Sequence, residues 1–152
     1  MTGVQTCALP IYKHPKYLGV DVYPGEGVDY VGDFLALDIP SNSVGVIRAV
    51  DFLEHIPNKI AVMNKIWDLL AHGGMLLSLT PSTDGRGAWQ DPTHVAGWNE
   101  NSFWYFTDDN YRRFVPDVAA KFHPSRVVTY LNRKSTRLNS SHIPLSRMPS
   151  SA

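Results

Sequence analysis

A chain of 152 residues is one ordinary domain at most, and 43% apolar with 11% aromatic residues suit a packed core. The formal net charge is zero, so no electrostatic footprint points to nucleic acid or an anionic membrane. The single cysteine, Cys7, excludes a disulfide framework and a cysteine-built zinc site. No apolar run reaches the roughly 18 residues of a membrane span, and the start lacks the basic-then-apolar pattern of a signal peptide. These features together give the expectation of a cytoplasmic protein.

In chain order, "KYLGVDV" (16–22) is a short apolar run closed by the Pro/Gly turn "YPGEG". "VDYVGD" (28–33) is a second short strand, and "FLALDIPSNS" is a loop. "VGVIRAV" (44–50) is a β-branched strand running into "DFLEHI". In "PNKIAVMNKIWDLLAHGG" the apolar residues Ile60, Val62, Met63, Ile66, Trp67, Leu69 and Leu70 keep helical spacing. Pro57 precedes that helix and Gly73 is the expected C-cap. "MLLSLTP" (75–81) is the next buried strand. A long polar and aromatic loop follows, in which Asn99 or Ser102 caps a short element and Thr107 caps a helix through Phe114. "SRVVTYL" (125–131) alternates like a strand. The alternation of strands and helices predicts an α/β domain.

"YLGVDV" ends in an acid, Asp21. In a nucleoside-binding α/β unit an acid at the end of the second strand holds the ribose, with a first strand and glycine-rich turn about 20 residues earlier. Here the chain offers only "MTGVQTCALPIYKHPK". A solvent-facing turn aspartate fits Asp21 as well, and the same acid suits a nicotinamide enzyme.

The block from "VGDFLALDIPSNSVGVI" through "FLEHI" to "LLAHGGMLLSLTP" resembles the class I S-adenosylmethionine-dependent methyltransferases, closest in style to the small-molecule type 11 group. The resemblance covers roughly residues 17–107. Gly45 stands where the group usually has Asp, and His72 where it often has Pro or Ala. The fold implied is α/β, Rossmann-like, with S-adenosylmethionine as cofactor and a small molecule as methyl acceptor. The resemblance makes Asp21 the ribose acid, Asp33 the acceptor from the adenine amine and Phe34 the packing on the ring. It brings Ala49, Val50 and Asp51 close to the methionine moiety. Loop capping for Asp33 and ordinary core for Phe34 are the plainer roles. Glu54 and His55 could orient a loop or act on a substrate proton. "DPTH" gives Asp91 and His94, facing a substrate or each other. His55 and His94 are the candidate catalytic residues. Asp91, His94 and His55 could ligate a metal, but no tight spacing supports it and none is expected. Trp89, Trp98, Trp104, Tyr105 and Phe106 divide between substrate pocket and core.

The flanks read differently. "TGVQTCALPI" and "RKSTRLNSSH…SRMPSSA" resemble translated sequencing adapters in opposite orientations. Residues 1–11 are therefore expected to be non-native, 12–132 a partial methyltransferase domain, and 133–152 a disordered tail. The fold would then be incomplete, lacking its first strand and glycine-rich loop. The family sheet order 3-2-1-4-5 would keep a central gap of roughly 9–10 Å, and the chain would bind cofactor weakly and be inactive. A nicotinamide-dependent Rossmann enzyme and a non-catalytic α/β interaction module are the alternatives. The acceptor and the oligomeric state are not legible.

Overall fold

The structure is a computed structural model and describes residues 2–7, 17–130 and 140–147. The strands are β1 (Thr2–Cys7), β2 (Tyr17–Asp21), β3 (Tyr30–Val31), β4 (Val44–Val50), β5 (Leu70–Pro81), β6 (Phe122–Pro124), β7 (Val128–Tyr130) and β8 (Ser140–Arg147). They form one sheet in the order β3-β2-β1-β4-β5-β8-β6, with β7 also paired to β8. β1 to β5 run parallel. β8 is antiparallel to β5, β6 and β7. The helices are α1 (Lys59–Leu69) and three single turns, α2 (Gly87–Gln90), α3 (Trp104–Thr107) and α4 (Asp109–Arg112). Among the described residues no helix is long and apolar enough to cross a membrane.

Two flank expectations are corrected. The slot between β2 and β4 is filled: Thr2–Cys7 pairs with Tyr17–Val20 on one side and Val44–Val50 on the other, so the sheet has no central gap. Within the tail, Ser140–Arg147 forms a strand rather than a disordered segment. A strand slot is filled through backbone N–H and C=O groups that nearly every residue carries, and composition is blind to that. Residues 8–16, where a glycine-rich turn would stand, and the tail residues 131–139 and 148–152 lie outside the described residues.

Between the flanks the sequence signals hold. β4 spans Val44–Val50 as expected. α1 starts at Asn58, whose side chain accepts from Ala61 N at 2.9 Å. It ends at Leu69, and Gly73 is not its cap. Instead residues 71–74 bulge out where the register jumps from Val44↔Leu70 to Val46↔Met75, and Gly73 supplies a φ of 75° within that bulge. Asn99 and Ser102 form a reciprocal cap on the 3₁₀ turn Glu100–Phe103. Thr107 does not cap a helix: it closes α3, and Asp108 caps α4 through Asn110 N at 2.8 Å. The acid side chain sits one residue later, where it reaches the free N–H.

The core joins Val44, Ile47, Ala49 and Leu76 of the sheet to Val62, Met63, Ile66 and Leu69 of α1. Trp98, Phe103 and Phe106 from the chain after β5 complete it. Each of the buried Val, Leu, Ile, Met and Phe side chains contributes about 1.5–3 kcal/mol on burial. Of the aromatic residues after β5, Trp98 and Phe106 are core and Trp89 is exposed.

Candidate functional site

β2, β3 and β4 end on the same edge of the sheet, the edge where open α/β sheets bind ligands. β2 is fixed there by the turn that follows it. A Cβ on Gly19 would fall 1.8 Å from the Gly27 carbonyl oxygen, so only glycine lets that turn lie on the strand. Asp29 ties the two together: its carboxylate accepts from Gly19 N at 3.0 Å, and its own N–H donates to Gly19 O at 2.8 Å. Asp21, the last residue of β2, accepts from Tyr23 N at 2.9 Å. Asp33 caps the 3₁₀ turn Phe34–Ala36 by accepting from Leu35 N at 2.9 Å. Phe34 is buried, edge-on to Phe52 with ring centroids 5.3 Å apart. Asp51, just past β4, has a φ of 46°. Such left-handed backbone at a non-glycine residue is uncommon and is found at functional turns.

Asp21, Asp33, Phe34, Asp51 and His55 line one cavity of about 390 Å³, a size suited to a small molecule or cofactor. Val20, Tyr23, Phe52, Ile56 and Thr93 are also on its wall. The plainer roles of Asp33 and Phe34, cap and core, are present in the same residues. Ala49 and Val50 remain in the sheet outside the cavity lining, between Thr6–Cys7 of β1 and Ser78–Leu79 of β5. His94 is likewise outside the lining, next to Thr93, which is on it. Apart from Val20 in β2, the wall residues not anticipated from sequence lie outside the strands, where no periodicity marks them.

Beside the cavity lies a second cluster. His55 and His94 meet edge to face with ring centroids 5.0 Å apart. His55 Nδ1 is 3.1 Å from Thr93 O, and His94 Nδ1 is 3.3 Å from Ala88 O. Asp91 Oδ2 is 3.8 Å from His94 Nε2, so these two residues do approach each other. Hydrogen bonds from the Thr93 side chain and backbone hold the Asp91 carboxyl below its usual range. Glu54 is 1% exposed. Its Oε2 accepts from Thr80 Oγ1 at 2.9 Å, while Oε1 is buried with no hydrogen-bond partner among the described residues. Burial pushes the Glu54 carboxyl up against the opposing pull of its backbone and Thr80 hydrogen bonds.

The loop after β5 is tied to the exit of β4. Val95 N and Ala96 N both donate to Glu54 O at 2.9 Å, and Trp98 Nε1 donates to Leu53 O at 3.0 Å. Lys59 donates to Gly97 O and lies over the Trp98 ring, 4.9 Å from its centroid. Burial lowers the Lys59 ammonium below its usual range.

No family model and no curated relative matches the chain. Solved structures do. The N-methyltransferase NodS from Bradyrhizobium japonicum WM9, in complex with S-adenosyl-L-homocysteine, aligns over 96% of this chain and 77% of its own. Its TM-score is 0.66 at 14% identity. The 1,6-didemethyltoxoflavin-N1-methyltransferase of Burkholderia thailandensis, with bound 1,6-didemethyltoxoflavin and S-adenosylhomocysteine, aligns over 97% of this chain and 71% of its own. There the TM-score is 0.64 at 16% identity. The fold is that of the class I S-adenosylmethionine-dependent methyltransferases. The antiparallel β8 beyond β5 departs from the mostly parallel 3-2-1-4-5-6 sheet of the nicotinamide enzymes. The [4+2]-cyclase SpnF shares the fold at TM-score 0.63 and 13% identity, over 87% of this chain and 66% of its own. The class I architecture therefore does not by itself name a reaction.

Proposed function

We propose that the chain carries the cofactor half of a methyltransferase that moves a methyl group from S-adenosylmethionine to a small-molecule acceptor. The observation that supports this most is the convergence of Asp21, Asp33, Phe34 and Asp51, from the ends of β2, β3 and β4, on one cavity. A carboxylate at Asp21 can accept two charge-assisted hydrogen bonds from ribose hydroxyls. Asp33 can accept from an adenine amine, and Phe34 can contribute an apolar wall. Asp51 is assigned to the methionine side, with Ala49 and Val50 behind it. The cofactor supplies an electrophilic methyl group, and the protein's task is then to align the acceptor. His55, on the cavity wall, and His94 beside it are assigned to the acceptor.

The functional part is residues 12–132, with 1–11 and 133–152 read as adapter-like. Cofactor affinity is low in this chain. Residues 8–16, "ALPIYKHPK", contain no glycine and two prolines, Pro10 and Pro15. The turn after the first strand needs close backbone approach and free N–H groups, and proline has none.

Calorimetric titration with S-adenosylhomocysteine tests both parts. Weak binding is expected, improved by Pro10→Gly and lost in Asp21→Ala. Micromolar binding by the unaltered chain would overturn the low affinity. Indifference to Asp21→Ala would overturn the ribose assignment, and preference for NADH would favour a nicotinamide enzyme.

A further inference from the structure

We propose that Glu54, His55 and His94 form a binding site for one divalent transition-metal ion of the zinc type. The sequence spacing gives no sign of such a site. The fold creates it by bringing the loop after β5 against the turn that follows β4.

One ligand-capable atom from each of the three residues lies within 4.8 Å of the others. Around a zinc ion with bonds of about 2.0–2.1 Å, ligand atoms stand roughly 3.3 Å apart. A closure of about 1.5 Å separates the two arrangements, within reach of side-chain rotation. Asp91, the carboxylate weighed with the two histidines from sequence and set aside there, is exposed and engaged by Thr93. Glu54, which the Asp51-to-His55 turn carries inward, takes its place.

The hydrogen bonds of both histidines prepare them as ligands. A backbone carbonyl can only accept, so facing Thr93 O and Ala88 O each Nδ1 carries the proton. Each Nε2 then holds the lone pair, and a carbonyl partner on the other nitrogen is the usual outer support of a metal-binding imidazole. His94 Nε2 faces Asp91 Oδ2 at 3.8 Å. An imidazolium meets that contact equally, so it is the three-residue cluster and Glu54 that point to the ion. Glu54 gives an independent sign: its Oε1 is buried with no hydrogen-bond partner among the described residues, and such an orphaned acceptor calls for a ligand.

Two imidazoles and one carboxylate suit zinc, cobalt or ferrous iron over magnesium or calcium. Three protein ligands leave at least one position open. His55 also lines the cavity, so the acceptor class we assign is one that offers an oxygen to the ion. That role rests on the methyltransferase reading, whereas metal binding does not.

The whole chain, stripped with chelator, is titrated with zinc chloride by calorimetry and with Co²⁺ by visible absorption. One equivalent is expected, with the d–d bands of low-coordinate cobalt. Two exchangeable, paramagnetically shifted imidazole N–H signals should appear in the Co²⁺ NMR spectrum. His94→Ala should weaken zinc by at least about 100-fold, more than the 10- to 100-fold typical of losing an outer partner. His72→Ala and His123→Ala should leave it unchanged. No stoichiometric uptake by the wild-type chain, no shifted N–H signals, or full affinity in a folded His94→Ala would each overturn the site. Zinc uptake together with a preference for NADH over S-adenosylhomocysteine would keep the metal site and discard the methyltransferase reading. Cofactor binding without zinc uptake would do the reverse.

Discussion

β1 and β4 lie side by side in one sheet and are legible in the sequence to very different degrees. β4, "VGVIRAV", is rich in β-branched residues, lies between clear turn signals, and buries Val44, Ile47 and Ala49. β1, "TGVQTC", belongs to a segment whose local pattern is too short to classify. Yet β1 is an interior strand, paired on both sides. The same contrast separates β5, with its apolar run, from β8, drawn from a Ser- and Arg-rich tail. Strand slots are defined by their neighbours' backbones. Local sequence therefore predicts the strands that build the slot far better than the strand that occupies it.

The sharpest way to break this comparison is to delete residues 1–11. The sheet would be cut between β2 and β4, and cooperative thermal unfolding should be lost. A melting transition unchanged in midpoint and steepness would show that β1 contributes nothing. Deletion of residues 133–152 should cost less, because β5 keeps β4 as a partner. Leu145 is fully buried and worth about 1.5–3 kcal/mol. At roughly 2–4 °C per kcal/mol for a chain of this size, the midpoint should fall about 3–12 °C. No fall would mean that β8 is not held in solution.

The smallest effect tests the middle region. The Lys59 ammonium is lowered from its ordinary value of 10.5 by burial. The native state therefore binds its proton less tightly than the unfolded chain does. Stability should rise as pH climbs from the lowered native value to 10.5, and the penalty should be fully present below that window. Lys59→Met should flatten this slope in urea melts taken as pH climbs towards 10.5. An equal slope in the variant would assign it elsewhere.

The site was legible where an acid ends a strand: Asp21, Asp33 and Asp51 all reach the cavity. It was not legible where two distant loops meet. Glu54 and His94 are 40 positions apart in the chain, and their meeting depends on tertiary packing that no spacing rule encodes. Gly73 misled for a related reason: a glycine after a helical run reads as a cap, but here the register jump between β4 and β5 uses it.

The bonds from Val95, Ala96 and Trp98 to the backbone of Leu53 and Glu54 have a consequence for affinity. They stitch the histidine-bearing loop to the turn after β4, beside the cavity, before any ligand arrives. Ordering that loop is charged to folding, so a ligand that bridges both walls meets a surface already in register and loses less entropy on binding.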